Sequence, residues 1–291
     1  MKVVVIGTFN VDYVGETIFP LKRGESHPGN IKISAGGVAR NIVENLARLG
    51  MKVTFITAVG SDAYGIKYKK DLEELKVKFI IPGPNDNALT STYLAVNNNK
   101  GELEYAVVET AILDYLSPQY FENLIGEINK NDMVILDANL RSDTINYLLE
   151  NVTAMIIGDA VSAIKAQKYI EHLDKFFLLK VNSHEKEVIN EALKEKRPKN
   201  LIITAGKHDL IYERKDALNG IVSKSFTPKK VSNIVSTTGA GDALLAGIIY
   251  AVSNYQSVEK GIELGMAMSA LTLQIAGAVN PNIIKVLQDK N

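Results

Sequence analysis

Along the whole chain, short runs of apolar residues alternate with stretches in which apolar positions recur every three to four residues. The runs at 3–7, 53–59, 77–81, 133–137, 155–158, 176–181 and 201–204 are dominated by aliphatic residues and too short for helices, which predicts strands buried on both faces. Between them the period is helical. Val38, Ile42, Leu46 and Leu49 fall on one face, with Gly50 just beyond them as a stop signal. Tyr64, Tyr68, Leu72 and Leu75 make a second stripe, and Leu244, Leu245, Ile248, Ile249 and Val252 a third, broader one within 239–255. Strand and helix in alternation predict an α/β fold with a mostly parallel sheet and crossover helices.

Two segments break this alternation. Residues 13–33 carry Gly15, Pro20, Gly24, Pro28 and Gly29 among short β-prone pieces and cannot form one helix. Residues 89–108 read as two strands, 90–97 and 102–108, around the turn Asn98-Asn99-Lys100-Gly101. A small antiparallel sheet inserted in the first third of the chain fits both. It is too small for a core of its own, so it is expected to cover a site, pair with another subunit, or do both.

Composition narrows the function classes. With 33 Lys and Arg against 33 Asp and Glu, the formal net charge is zero, and no excess of cations exists to coat a nucleic acid or an anionic membrane. At 46% hydrophobic and 23% charged residues, the 291-residue chain is expected to be globular over most of its length, as one large α/β domain or two smaller ones. It has no cysteine, which removes disulfides, thiolate metal sites and thiol nucleophiles. Lys2 is followed by only four strongly apolar residues, too few for a signal-peptide core, so a cytoplasmic protein is expected.

The stretch Ser236-Thr237-Thr238-Gly239-Ala240-Gly241-Asp242 precedes the longest helical stripe. Small residues at a helix start leave backbone N–H groups open to an anion, aided by the helix dipole. Asp242 is the odd member, because a carboxylate beside an anion hole repels phosphate. It either caps the helix or serves as the general base that takes a proton from an attacking hydroxyl. A second glycine pair, Gly36-Gly37, opens the helix that carries Asn41, where a ligand can approach the backbone and Asn41 can both donate and accept. Asn10 and Asp12 follow the first strand, at the end of a sheet where α/β proteins bind ligands; Asp12 suits vicinal hydroxyls, and turn chemistry is the other reading. Asn182 and Glu185 follow the 176–181 strand and offer oxygen ligands for a magnesium ion held through water. Val188 stands where a zinc protease would need its second histidine, and Gly206-Lys207 lacks the upstream glycine of a phosphate-binding Walker loop.

Taken in order, Gly7…Asn10-Val11-Asp12, Gly36-Gly37-Val38-Ala39-Arg40-Asn41, Gly60-Ser61-Asp62, Asn182…Glu185, Thr204-Ala205-Gly206 and Thr238-Gly239-Ala240-Gly241-Asp242 resemble the ribokinase-like, PfkB-type family of carbohydrate and nucleoside kinases over nearly the whole chain. The resemblance implies a single domain over 1–291, with a central, mostly parallel sheet, helices on both faces and a β lid built from about 13–33 and 89–108. It implies an ATP- and magnesium-dependent kinase with Asp242 as base and the 239–241 backbone as anion hole. Asn10, Asp12, Gly36, Gly37, Asn41 and Thr92 would bind the acceptor; Thr204, Gly206 and Lys165 would bind the nucleotide, with Asn182 and Glu185 organising the metal. Lids of this family often mediate homodimers.

Within the family, residues 37–50, 90–96 and Asp159-Ala160-Val161-Ser162…Lys165-Ala166 resemble the pseudouridine kinase group. Ser236 stands where many members carry an aspartate that helps hold a monovalent cation, Ala160 where proline is usual, and Glu109-Thr110 where that group has an Asp-Met pair. A ribose, fructose or other nucleoside acceptor stays open, as does a sugar- or nucleoside-binding sensor without catalysis.

Overall fold

The apolar runs become a nine-stranded sheet. A computed structural model describes residues 1–83, 88–216, 218 and 220–288. Strands β1 (Val3–Ile6), β4 (Val53–Ile56), β5 (Lys78–Ile80), β8 (Met133–Asp137), β9 (Met155–Asp159), β10 (Phe176–Asn182) and β11 (Asn200–Thr204) lie parallel. Strands β12 (Leu210–Asp216) and β13 (Gly220–Phe226) add an antiparallel hairpin at one edge, giving the order β13-β12-β11-β10-β9-β8-β1-β4-β5. The seven expected strands are all present. The hairpin was not expected, because exposed positions dominate β13 and charged residues cut short the apolar run of β12.

Both faces of the sheet are covered, as strict alternation along the strands requires. Val3, Val5, Ile135, Ile157 and Ile202 belong to one buried cluster, with Ile42 and Leu46 of the Val38–Arg48 helix and Leu245, Ile248 and Ile249 of the Ala240–Ser253 helix. Val4, Ile6, Val134, Leu136, Ile156 and Ile203 belong to the other, with Ile145, Leu148 and Leu149 of the Ser142–Asn151 helix. At about 25 cal/mol per Å² of apolar surface removed from water, such double-sided burial is the main stabilising contribution to an α/β fold.

The second sheet is the expected insertion, formed by β2 (Asn10–Thr17), β3 (Gly29–Gly36), β6 (Ser91–Asn97) and β7 (Leu103–Glu109) in the order β3-β2-β6-β7. It is mixed rather than antiparallel: β2 and β6 run in parallel, and between them the chain leaves this sheet after β3 to form the Val38–Arg48 helix and strands β4 and β5 of the main sheet. Strand β7 is exposed along its whole length, with Leu103, Tyr105, Val107 and Val108 open to solvent beside Leu94 of β6, and Ile31 is exposed on β3 at the opposite edge of the sheet. Among the described residues no helix is long and apolar enough to cross a membrane.

Candidate active site

The C-terminal ends of β1, β8, β9 and β10 meet the starts of the Val38–Arg48 and Ala240–Ser253 helices. Asp137, the last residue of β8, is fully buried. Its Oδ2 accepts from Thr8 N–H (2.9 Å), Thr8 Oγ1 (2.8 Å) and Ala39 N–H (3.1 Å), and its Oδ1 from Asn139 N–H (2.9 Å). One side chain thereby fastens the turn after β1 to the helix that carries Asn41. An unpartnered carboxylate at this depth would be costly, and these four donors offset its desolvation.

The acceptor side is built on β2. Asn10 and Asp12 share a face, flanked by their register partners Gly36 and Ser34 on β3 and Ser91 and Tyr93 on β6. A Cβ at Gly36 would lie 2.0 Å from Asp12 Oδ2, so only glycine leaves this carboxylate its place. Asn10 Oδ1, Asp12 Oδ1 and Ser91 Oγ are buried with no hydrogen-bond partner. Native proteins rarely leave such atoms unpaired, and three together mark a surface built to meet the donors of a ligand. Burial pushes the Asp12 carboxyl up to about 6, with the Arg40 guanidinium pulling the other way. Thr92 is placed differently from Asn10 and Asp12. It pairs with Val11, on the opposite face, and its hydroxyl donates to Thr90 O at 3.1 Å.

Across from this surface, Asn41 Nδ2 donates to Asp242 Oδ2 at 2.8 Å, a contact between residues 201 positions apart. Asp242 sits in the first turn of the Ala240–Ser253 helix at 8% exposure. Its carboxyl is pushed up to about 7 by burial and then by the Asp159 carboxylate; Lys180 and the Asn41 hydrogen bond pull it down, and Asp137 pushes it up further. Gly239 before it has φ 78°, and a Cβ there would fall 1.9 Å from Ala278 O, so the turn tolerates nothing larger. The Ala240 N–H points toward Thr237 O at 3.4 Å, while the next N–H groups, at Gly241 and Asp242, open the helix, where no carbonyl precedes them one turn back.

Lys180 on β10 completes this corner. It is 8% exposed and ion-paired with Asp159 Oδ2 at 2.5 Å. Its Nζ lies 3.2 Å from where a Cβ of Gly241 would be, so the missing side chain at 241 brings an ammonium against the open helix end. Asp159 Oδ1 accepts from Val161 N–H at 2.9 Å and holds that β-branched residue at φ 63°, a strained conformation next to the site.

Asn182 and Glu185 form a capping box at the start of the Ser183–Ile189 helix: Asn182 Oδ1 accepts from Glu185 N–H, and the Glu185 oxygens accept from Asn182 N–H (2.8 Å) and Nδ2 (2.6 Å). Each Glu185 oxygen keeps further lone pairs, which suits contact with metal-bound water rather than direct ligation. Among the described residues no group of three or more His, Cys, Asp or Glu side chains could hold a metal ion. Thr204 is the register partner of Asn182, and Gly206 follows in a turn at φ 61°. Lys165 is not in this group. Its ammonium donates to Asn139 Oδ1, and Asn139 Nδ2 donates to Thr8 Oγ1 at 3.2 Å, which joins it to the Asp137 network two strands or more away from β11. Burial pushes the Lys165 ammonium down. The Ser236 hydroxyl accepts from Thr238 N–H at 3.1 Å and brings no negative charge to the place of the usual aspartate.

Sequence reasoning gave no role to Asp137 or Lys180, and read Asp159 and Arg40 only as parts of motifs. A signal existed for two of them: Asp137 ends an otherwise apolar strand, and Lys180 is a lone cation inside the run Phe176-Phe177-Leu178-Leu179-Lys180-Val181.

Comparison with known proteins bears on the fold and the family. The family model of pfkB family carbohydrate kinases matches residues 1–285. The chain is 27% identical to pseudouridine kinase of Escherichia coli, over 97% of this chain and 93% of that protein. It is 27% identical to ribokinase of Lactococcus lactis, over 95% and 92% of the two chains. Ribokinase of Thermotoga maritima superposes with a TM-score of 0.85 at 19% identity, over 100% of both chains.

Proposed function

Because the chain belongs to the pfkB family of carbohydrate kinases and is therefore a phosphotransferase with a hydroxyl acceptor, we propose that it moves the γ-phosphoryl group of ATP to the primary hydroxyl of a nucleoside, pseudouridine before others. The observation that carries the chemistry is the facing of Asp242 and Asn41 across the open helix end with Lys180 beside it. Asn10, Asp12 and Ser91 have unpaired oxygens for the ring hydroxyls of a ribosyl group, which would set its remaining primary hydroxyl at Asp242. As that oxygen bonds to phosphorus and the bond to the β-phosphate oxygen breaks, the hydroxyl proton passes to Asp242, and ADP leaves. A carboxyl pushed up to about 7 is matched to this exchange near neutral pH. The N–H groups of Gly241 and Asp242 and the Lys180 ammonium would meet the phosphoryl oxygens, where charge is spread in the transition state. Asn182 and Glu185 would hold a magnesium ion through its water, and that ion, when bound with the nucleotide, screens the phosphate charge.

The preference for pseudouridine rests on the resemblance of the 37–50 and 159–166 segments and on the similarity to the Escherichia coli enzyme. An acceptor panel of pseudouridine, uridine, guanosine, ribose and fructose, read as ADP release with magnesium and ATP, tests it. Preference for ribose over every nucleoside would replace it with a ribokinase activity. Ligand binding by calorimetry with no turnover on any acceptor would favour a sensor, although Gly239, Ala240, Gly241 and Asp242 are all intact. The exposed apolar residues of β7, with Leu94 and Ile31, support a homodimer through the lid.

A further inference from the structure

The Val38–Arg48 helix turns a second polar side chain toward the site. Arg40 is 7% exposed, and its guanidinium sits between two groups. Nη1 donates to Asn41 Oδ1 at 3.1 Å, and Nη2 is ion-paired with Glu44, which also holds Arg48 at 2.7 Å. A guanidinium has donors only. The Asn41 oxygen is therefore held toward Arg40 and the amide nitrogen toward Asp242, 2.8 Å away. An asparagine without such a neighbour can turn its amide over and offer oxygen instead, which favours the protonated acid. Resting on the kinase reading above, we propose that Arg40 is a positioning residue of the transfer site: it locks the Asn41 amide as a donor to Asp242 Oδ2, so that the base meets the acceptor ionised, with its second oxygen left for the hydroxyl.

The other groups that face Asp242 are Asp159 from β9, Lys180 from β10 and Asp137 from β8, and none of them touches Arg40. Burial lowers the hold of the Arg40 guanidinium on its own proton, while Glu44 opposes that effect, and the guanidinium in turn pulls down the Asp12 carboxyl, which its removal would push up. Replacing Arg40 alone would leave Glu44 buried with only Arg48, so the test replaces both partners in the double variant Arg40→Met, Glu44→Leu.

The direct readout is carboxyl carbon NMR titration of Asp242 in the protein without nucleotide or acceptor. In the double variant Asp242 should titrate about 1 unit higher than in the parent, from weakening of one hydrogen bond to the charged form. The acid limb of kcat/KM should move up too, but it carries the shifts of both Asp242 and Asp12, so the inference is read from the Asp242 resonance. Arg48→Met, which removes a neighbouring charge but no contact to Asn41, should leave the titration in place. An unmoved Asp242 in the double variant, or an equal shift in Arg48→Met, overturns the inference. The titration needs no turnover, so absence of kinase activity on every acceptor would defeat the functional reading without touching this one.

Discussion

Asp242→Asn tests the base and its environment in a single variant. The carboxyl rises from 3.8 to about 7 on folding, so below pH 3.8 both states hold the proton and the group is neutral to stability. As pH climbs between these values the unfolded chain releases the proton while the folded one keeps it, and stability falls; above 7 the full penalty is present. At about 1.4 kcal/mol per pKa unit, the penalty grows by roughly 3 kcal/mol between pH 5 and pH 8. Asparagine carries no such penalty, so its stability relative to the parent should improve by that difference from pH 5 to pH 8. For a chain of this length the change is about 4 °C in Tm, read by calorimetry at the two pH values. In the same variant phosphoryl transfer should fall on the order of 10²-fold or more. Equal stability increments at both pH values would show that the carboxyl is not held up by its surroundings. Undiminished transfer would remove Asp242 from the role of base.

Lys180→Met should slow transfer by about 10² to 10³ and, by leaving Asp159 buried and unpaired, destabilise the protein by about 3 kcal/mol in urea melts; the double variant with Asp159→Leu should recover stability but not turnover. Gly239→Ala drives a methyl group into Ala278 O at a positive φ, so nucleotide-dependent turnover should be lost together with about 3 kcal/mol of stability. Tyr105→Lys with Val107→Lys places charge on the exposed lid edge, and sedimentation should show monomers where the parent sediments as a dimer; a parent that is already monomeric refutes the lid interface.

The main sheet was legible because strands buried on both faces must be apolar throughout, and each run from Val3 to Thr204 carries that mark locally. The lid segments were legible through Gly15, Pro20, Gly24 and the Asn98-Asn99-Lys100-Gly101 turn, but the parallel pairing of β2 with β6 was not, since direction depends on where the intervening chain goes. Strands β12 and β13 escaped because Glu213, Arg214, Lys215 and Lys224 keep them from reading as apolar runs. At the site, the glycines and Asp242 announced themselves through spacing at helix starts. Asp137, Asp159 and Lys180 did not, because each stands in or at the end of an apolar strand and acquires a role only when β8, β9 and β10 lie side by side. Thr92 and Lys165 fall away from their expected neighbours for related reasons: strand pleat turned one, and the reach of a lysine toward Asn139 took the other.

The contact between Asn41 and Asp242 also has a meaning in time. Its partners are 201 residues apart, and the Thr8 contacts to Asp137 span 129. At about 5–20 residues per second of synthesis, Asn41 leaves the ribosome roughly 10–40 s before Asp242 exists. Through that interval Asn41 lacks the carboxylate that its amide meets in the folded chain. The corner where Asn41 and Asp242 meet is therefore among the last parts of the structure to form, and a product that ends between Phe226 and Asp242 carries the residues of every strand yet lacks it.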